Sequence, residues 1–191
     1  MANLGKTGNP GRATLKERAN DAYDTPPEAV RALLRAAVLP RHIWEPACGS
    51  GSIVTVLREA GHDVIATNLE NAGCPDSRFG VDFLMELRPP IGCECIVTNP
   101  PYKLADQFVR HALSLVPLVV MLLRFNYLEG TGRSDIIDQH LERVYLFRNR
   151  LPMMHRKGWM GPKATSMVAF AWFQWQLGNK SPITLNRVTW E

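Results

Sequence analysis

The sequence lacks any apolar run of the roughly twenty residues that a membrane-spanning helix needs. The longest, Leu113 to Leu123, is interrupted by Ser114 and Pro117. No apolar stretch lies between the basic residues of Met1 to Asn20, so a secretory leader is not expected and the cytoplasm is the expected compartment. Cysteine is sparse: Cys48, Cys74, Cys93 and Cys95 are the four. Cys93 and Cys95 stand two apart, without a second pair at zinc-site spacing, so reduced thiols and no metal site are expected. His42, His62, His111 and His140 have no partner spacing. Acidic residues are outnumbered 18 to 22 by Lys and Arg, a net charge of +4 that permits a polyanionic partner without requiring one.

The 191 residues suffice for one domain with a sizeable core, not two. Residues 1–24 are rich in Gly, Asn and Lys/Arg with no period, and are expected to be a flexible basic arm before a domain over 25–191. Thr25-Pro26-Pro27-Glu28 opens a helix, with Thr25 a candidate cap, followed by Val30, Leu33, Leu34 and Ala37 at helical spacing. Strands are expected at His42–Glu45, Asp63–Thr67, Phe79–Phe83, Glu94–Thr98, Leu118–Leu123, Arg143–Phe147 and Met167–Trp175. Helices are expected at Ser52–Ala60, around Leu104, Phe108, Ala112 and Leu115, and at Ser134–His140. Strands alternating with helices predict an α/β fold with a mostly parallel, seven-stranded sheet flanked by helices. Trp172 and Trp175 are expected in the core.

Two motifs carry chemistry. Glu45-Pro46-Ala47-Cys48-Gly49-Ser50-Gly51 joins a strand to a helix. Its glycines allow close backbone approach to a ligand, at the end of a strand where open α/β sheets bind one. A tight turn is the plain alternative. No Gly-Lys-Ser/Thr follows, which excludes a P-loop, and no third glycine completes the dinucleotide fingerprint. The second motif, Asn99-Pro100-Pro101-Tyr102, follows a buried strand. Paired prolines stop the ladder and stiffen the backbone, holding an amide and an aromatic ring at the mouth of the sheet. A strand-ending turn with a packing tyrosine is the alternative.

These motifs, in this order and about fifty residues apart, resemble the amino-methyltransferases with an Asn/Asp-Pro-Pro-Tyr/Phe signature, small phage and prophage DNA adenine methyltransferases above all. The resemblance runs from about Tyr23 to Trp175 and implies a Rossmann-like class I methyltransferase fold with S-adenosyl-L-methionine as cofactor. It implies that Glu45, Pro46, Ala47, Cys48, Gly49 and Gly51 hold the methionine and ribose part. The Asp24-Thr25-Pro26-Pro27 segment is similar to the one packing over the methionine end, which makes Tyr23 and Thr25 candidate cofactor residues, and Asp82-Phe83 is similar to the pair at the cofactor adenine. Asn99 and the Pro100 carbonyl would accept hydrogen bonds from the target amine, Pro101 would keep the corner rigid, and Tyr102 would stack on a flipped base. The family's ribose position is acidic; here it is Asn68, a neutral and weaker partner, with Glu70 close by. The implied activity is methylation of adenine N6 in DNA.

Arg143 to Lys163 holds Arg148, Arg150, Arg156, Lys157 and Lys163 among His155 and Trp159, a composition suited to nucleic acid or to a solvated loop. Lys6, Arg12, Lys16 and Arg18 in the arm offer further phosphate contacts, or a plain tail. With little room for a target-recognition region, recognition falls to Asn126–Arg133, the basic loop and the arm. Rival readings are the same chemistry on RNA adenine or protein glutamine, and a non-catalytic nucleic-acid-binding module.

Overall fold

The computed structural model describes residues 24–151, 153 and 168–190. The expected arm, apart from Asp24, lies outside the described residues. The chain runs α1 (Pro27–Ala36), β1 (His42–Glu45), α2 (Ser52–Glu59), β2 (Asp63–Asn68), β3 (Arg78–Phe79), β4 (Cys95–Thr98), α3 (Ala105–Leu115), β5 (Leu118–Arg124), α4 (Ser134–His140), β6 (Leu141–Phe147), β7 (Phe170–Gln176) and β8 (Thr184–Val188). Single 3₁₀ turns punctuate the loops at Phe83–Met85, Tyr102–Leu104, Phe125–Leu128 and Thr131–Arg133.

The strands form one sheet in the order β3-β2-β1-β4-β5-β7-β6-β8. β7 runs antiparallel to both its neighbours, and the remaining pairings are parallel. β5 shows why the centre is apolar throughout. Val120 and Leu122 pack on the face covered by α1 and α2, while Val119, Met121 and Leu123 pack on the face covered by α3 and α4. Trp172 and Trp175 are fully buried as expected, and on opposite faces. The Trp172 indole donates to the Ala29 carbonyl at 2.8 Å, joining β7 to α1.

Three expectations are corrected. The sheet has eight strands, not seven; β8 was not anticipated because it is an exposed edge with no apolar face. The third strand is only Arg78–Phe79. Gly80, at φ +76°, turns the chain away, and Asp82 then caps a 3₁₀ turn instead of extending a ladder. Thr25 does not cap α1, which starts after Pro26 with no side-chain cap bond. Thr25 is instead buried against the fold.

Candidate active site

β1 and β4 lie side by side, yet the chain leaves them in opposite directions across the sheet, to β2 and β3 on one side and to β5 on the other. Such a reversal opens a crevice at the carboxyl ends of the two strands. Both sequence motifs begin there. Glu45 ends β1, Thr98 ends β4, and the two side chains meet: Thr98 Oγ1 donates to Glu45 Oε1 at 2.5 Å. The Ala47 backbone N–H donates to the same oxygen at 3.0 Å. Glu45 is fully buried, and its Oε2 has no hydrogen-bond partner among the described residues. Burial pushes its carboxyl up from 4.5 to about 8, against the two hydrogen bonds that pull it down. At neutral pH this carboxyl is mostly protonated.

The glycine turn is held by the Cys48 N–H donating to the Thr67 carbonyl of β2 at 3.1 Å and by the Gly51 N–H donating to the Cys48 carbonyl at 2.8 Å. Gly49 and Gly51 sit at φ +52° and +93°, conformations that favour glycine. Their surroundings differ. A Cβ on Gly51 would come within 2.8 Å of Cys74 Sγ, whereas one on Gly49 would point into open space. Ser50 Oγ donates to Asp24 Oδ1 at 2.8 Å, so the segment before α1 is fastened over the turn. Tyr23 lies outside the described residues. Cys48 is buried, and burial, with Cys74 and Glu45 adding to it, pushes its thiol up to about 12, which leaves little thiolate for nucleophilic work.

Of the residues expected around a cofactor, Glu45, Pro46, Ala47, Cys48, Gly49 and Gly51 line one bend, and Asn68 ends the neighbouring strand. Asn68 folds back, its Nδ2 donating to the Glu70 carbonyl at 2.7 Å, which leaves its oxygen for an outside donor. Asp82 is exposed, with Oδ1 accepting from the Leu84 N–H at 3.1 Å. Phe83 is a core residue: its ring meets Trp44 edge-on at 5.2 Å and lies 4.8 Å from Phe108. The expected acidic-aromatic pair thus splits into a surface cap and a buried wedge.

On the other side of the crevice, Asn99 and Tyr102 are half-buried and Pro100 is buried. The Tyr102 ring has two aromatic or cationic neighbours. Phe170 of β7 is tilted against it at 5.7 Å, and the Arg124 guanidinium sits over it, 4.8 Å from its centroid. Beside the ring opens a cavity of about 490 Å³, lined by Tyr102, Leu123, Arg124, Asn126, Glu129 and Arg133 among others. Thr98, Cys74 and Arg124 are site residues that sequence reasoning missed. Each sits at an unremarkable position in its element and acquires its role from a strand or loop distant in sequence. Arg148 and Arg150 are exposed just after β6; Arg156, Lys157 and Lys163 lie outside the described residues.

No protein-family model and no curated protein matches the chain. Solved structures do match. The methyltransferase subunit of a type I restriction-modification system from Streptococcus thermophilus superposes with a TM-score of 0.64 at 11% identity, over 86% of this chain and 46% of that one. A dimethyladenosine transferase from Plasmodium falciparum gives 0.54 at 15%, over 80% and 62%. A candidate RNA methyltransferase from Pyrococcus horikoshii gives 0.60 at 12%, over 84% and 88%. At such identities the likeness is one of fold, and with the strand order above it identifies a class I methyltransferase fold in this chain.

Proposed function

We propose that this protein transfers a methyl group from S-adenosyl-L-methionine to the N6 amino group of adenine in DNA. The observation that carries the reading is the junction of the two motifs. The glycine bend after β1 and the Asn-Pro-Pro-Tyr corner after β4 flank one crevice, locked by the Thr98–Glu45 hydrogen bond. The bend suits such a cofactor. Gly49 leaves space that a Cβ would fill, and Glu45 Oε2 is a buried polar atom with no partner among the described residues, a hydroxyl donor while the carboxyl is protonated and an acceptor for a cationic group once it ionises. The Gly49–Gly51 backbone, Glu45 and the Asn68 oxygen would hold the group, with Asp24 and Thr25 above it. Bound there, it supplies an electrophilic methyl on a sulfonium sulfur.

An exocyclic amine is a poor nucleophile because its lone pair is delocalised into the ring. Asn99 Oδ1 and the Pro100 carbonyl accept from its two N–H bonds, favouring a pyramidal nitrogen with an available lone pair. Pro100 and Pro101 keep these acceptors in place, so little reorganisation is needed as positive charge develops on nitrogen. In-line alignment adds several kcal/mol of barrier lowering. Tyr102 stacks on the extruded base, a contact worth on the order of 1–3 kcal/mol against an unstacking cost of a few.

Adenine in RNA is the second reading, favoured by RNA-modifying enzymes among the proteins of this fold, including a 23S rRNA methyltransferase. Incubation with methyl-labelled cofactor and separate DNA, RNA and protein pools, followed by digestion to nucleosides and mass analysis, distinguishes these. N6-methyladenine from DNA is the expected product. Label only in RNA or in protein would move the substrate, and no label with no cofactor binding by calorimetry would leave a nucleic-acid-binding module.

A further inference from the structure

The arginines lining the cavity beside Tyr102 differ in how they are used. Arg133 is committed to the fold: its Nε pairs with Asp106 at 2.8 Å, its Nη1 donates to the Tyr127 and Glu129 carbonyls, and its guanidinium lies 4.6 Å from the Tyr127 ring centre. These contacts shape the 124–133 segment into a wall. The Arg124 side chain, at the exposed end of β5, makes no hydrogen bond or ion pair with the described residues. Among those residues its specific contact is with the face of the Tyr102 ring. Phe170 is already packed against that ring. A base stacking on the face that Arg124 covers takes the place of the guanidinium.

A guanidinium is planar and weakly hydrated, so it occupies an aromatic face at low cost and leaves it readily for a bidentate anion. A nucleotide brings both exchange partners, a flat base and a phosphate. The cavity volume of about 490 Å³ suits one nucleotide unit. Asn126 and Glu129 on its lining offer a donor and acceptors for a base edge, and the Glu129 carboxylate disfavours a phosphate on its own side.

From these features we infer that Arg124 is the phosphate-binding residue for the DNA strand whose extruded base enters this cavity. It covers Tyr102 when the cavity is empty and pairs with the backbone phosphate when the base takes that face. The inference rests on the nucleic-acid reading above and deepens it.

The test measures binding of a fluorescent random-sequence single-stranded 20-mer against salt concentration, with S-adenosylhomocysteine saturating, for wild type, Arg124→Ala and Arg124→Lys. Arg124→Ala is expected to weaken binding about tenfold and to reduce the slope of log K against log salt by about 0.7, one phosphate contact. Arg124→Lys is expected to keep the slope while losing affinity, because charge remains and planar stacking does not. Unchanged S-adenosylhomocysteine affinity in both variants verifies that they are folded. Arg124→Ala with wild-type slope and affinity, while wild type methylates DNA, overturns this inference alone. A wild type that binds S-adenosylhomocysteine but neither binds nor methylates DNA overturns both it and the proposed substrate.

Discussion

Glu45 ends β1 and Asn99 follows β4, and the two do different work. For Asn99→Ala the expected outcome is a loss of at least a hundredfold in turnover with cofactor affinity within twofold of wild type, because the lost acceptor acts only as charge develops on the amine. Single-turnover kinetics with calorimetry check it, and turnover within a few-fold of wild type would remove Asn99 from the mechanism. Glu45 governs pH behaviour. Its folded-state value of about 8 lies above the ordinary 4.5, so the folded protein holds a proton that the unfolded chain releases. The associated stability is fully present below pH 4.5 and is lost as pH rises towards 8. Wild type should therefore lose melting temperature relative to Glu45→Gln across that window, and parallel melting curves against pH would refute it. Cofactor affinity should move the other way, strengthening in wild type as pH rises to 8 and the carboxylate becomes available to a cation.

The glycine turn makes a prediction at the scale of an element. Gly49→Ala and Gly51→Ala share the strain of a positive φ, about 1 kcal/mol. Gly51→Ala adds the collision with Cys74 Sγ and should be the less stable in urea denaturation; Cys74→Ala in the same chain should recover the difference. Gly49→Ala has room for its methyl, so it should fold with only the strain penalty and lose cofactor affinity by tenfold or more. Equal effects of the two on binding would deny the cleft its place. The helices and central strands behind this turn were legible, because apolar periodicity and the Pro and Gly stops agree with their burial. The Phe79–Phe83 strand was not, since its apolar residues serve a capped turn whose Phe83 wedge fills space beside Trp44. Nor was β8, whose mostly exposed residues are held on the sheet edge chiefly by backbone pairing with β6.

Across the whole molecule, β7 is the member that closes the fold. It runs against β5 and β6 and carries Trp172, Phe173 and Trp175 into both core layers. Trp172→Phe keeps most of that volume but removes the indole bond to Ala29, so a loss of about 1–3 kcal/mol is expected in denaturant unfolding. A change within 0.5 kcal/mol would mean that the indole bond adds nothing to the docking of α1. The same strand supplies Phe170 against Tyr102, so the wall of the cavity is an outcome of global topology.

The two motif loops, the alternation of strand and helix and the class of fold were determined by the sequence itself, through short-range rules of apolar period, turn residue and strand end. Tertiary structure alone decided that Glu45 is protonated, that Phe83 belongs to the core, that Cys74 crowds Gly51 and that Arg124 covers Tyr102. Each of these depends on which distant segment lies within a few ångströms, and local pattern carries no record of that distance.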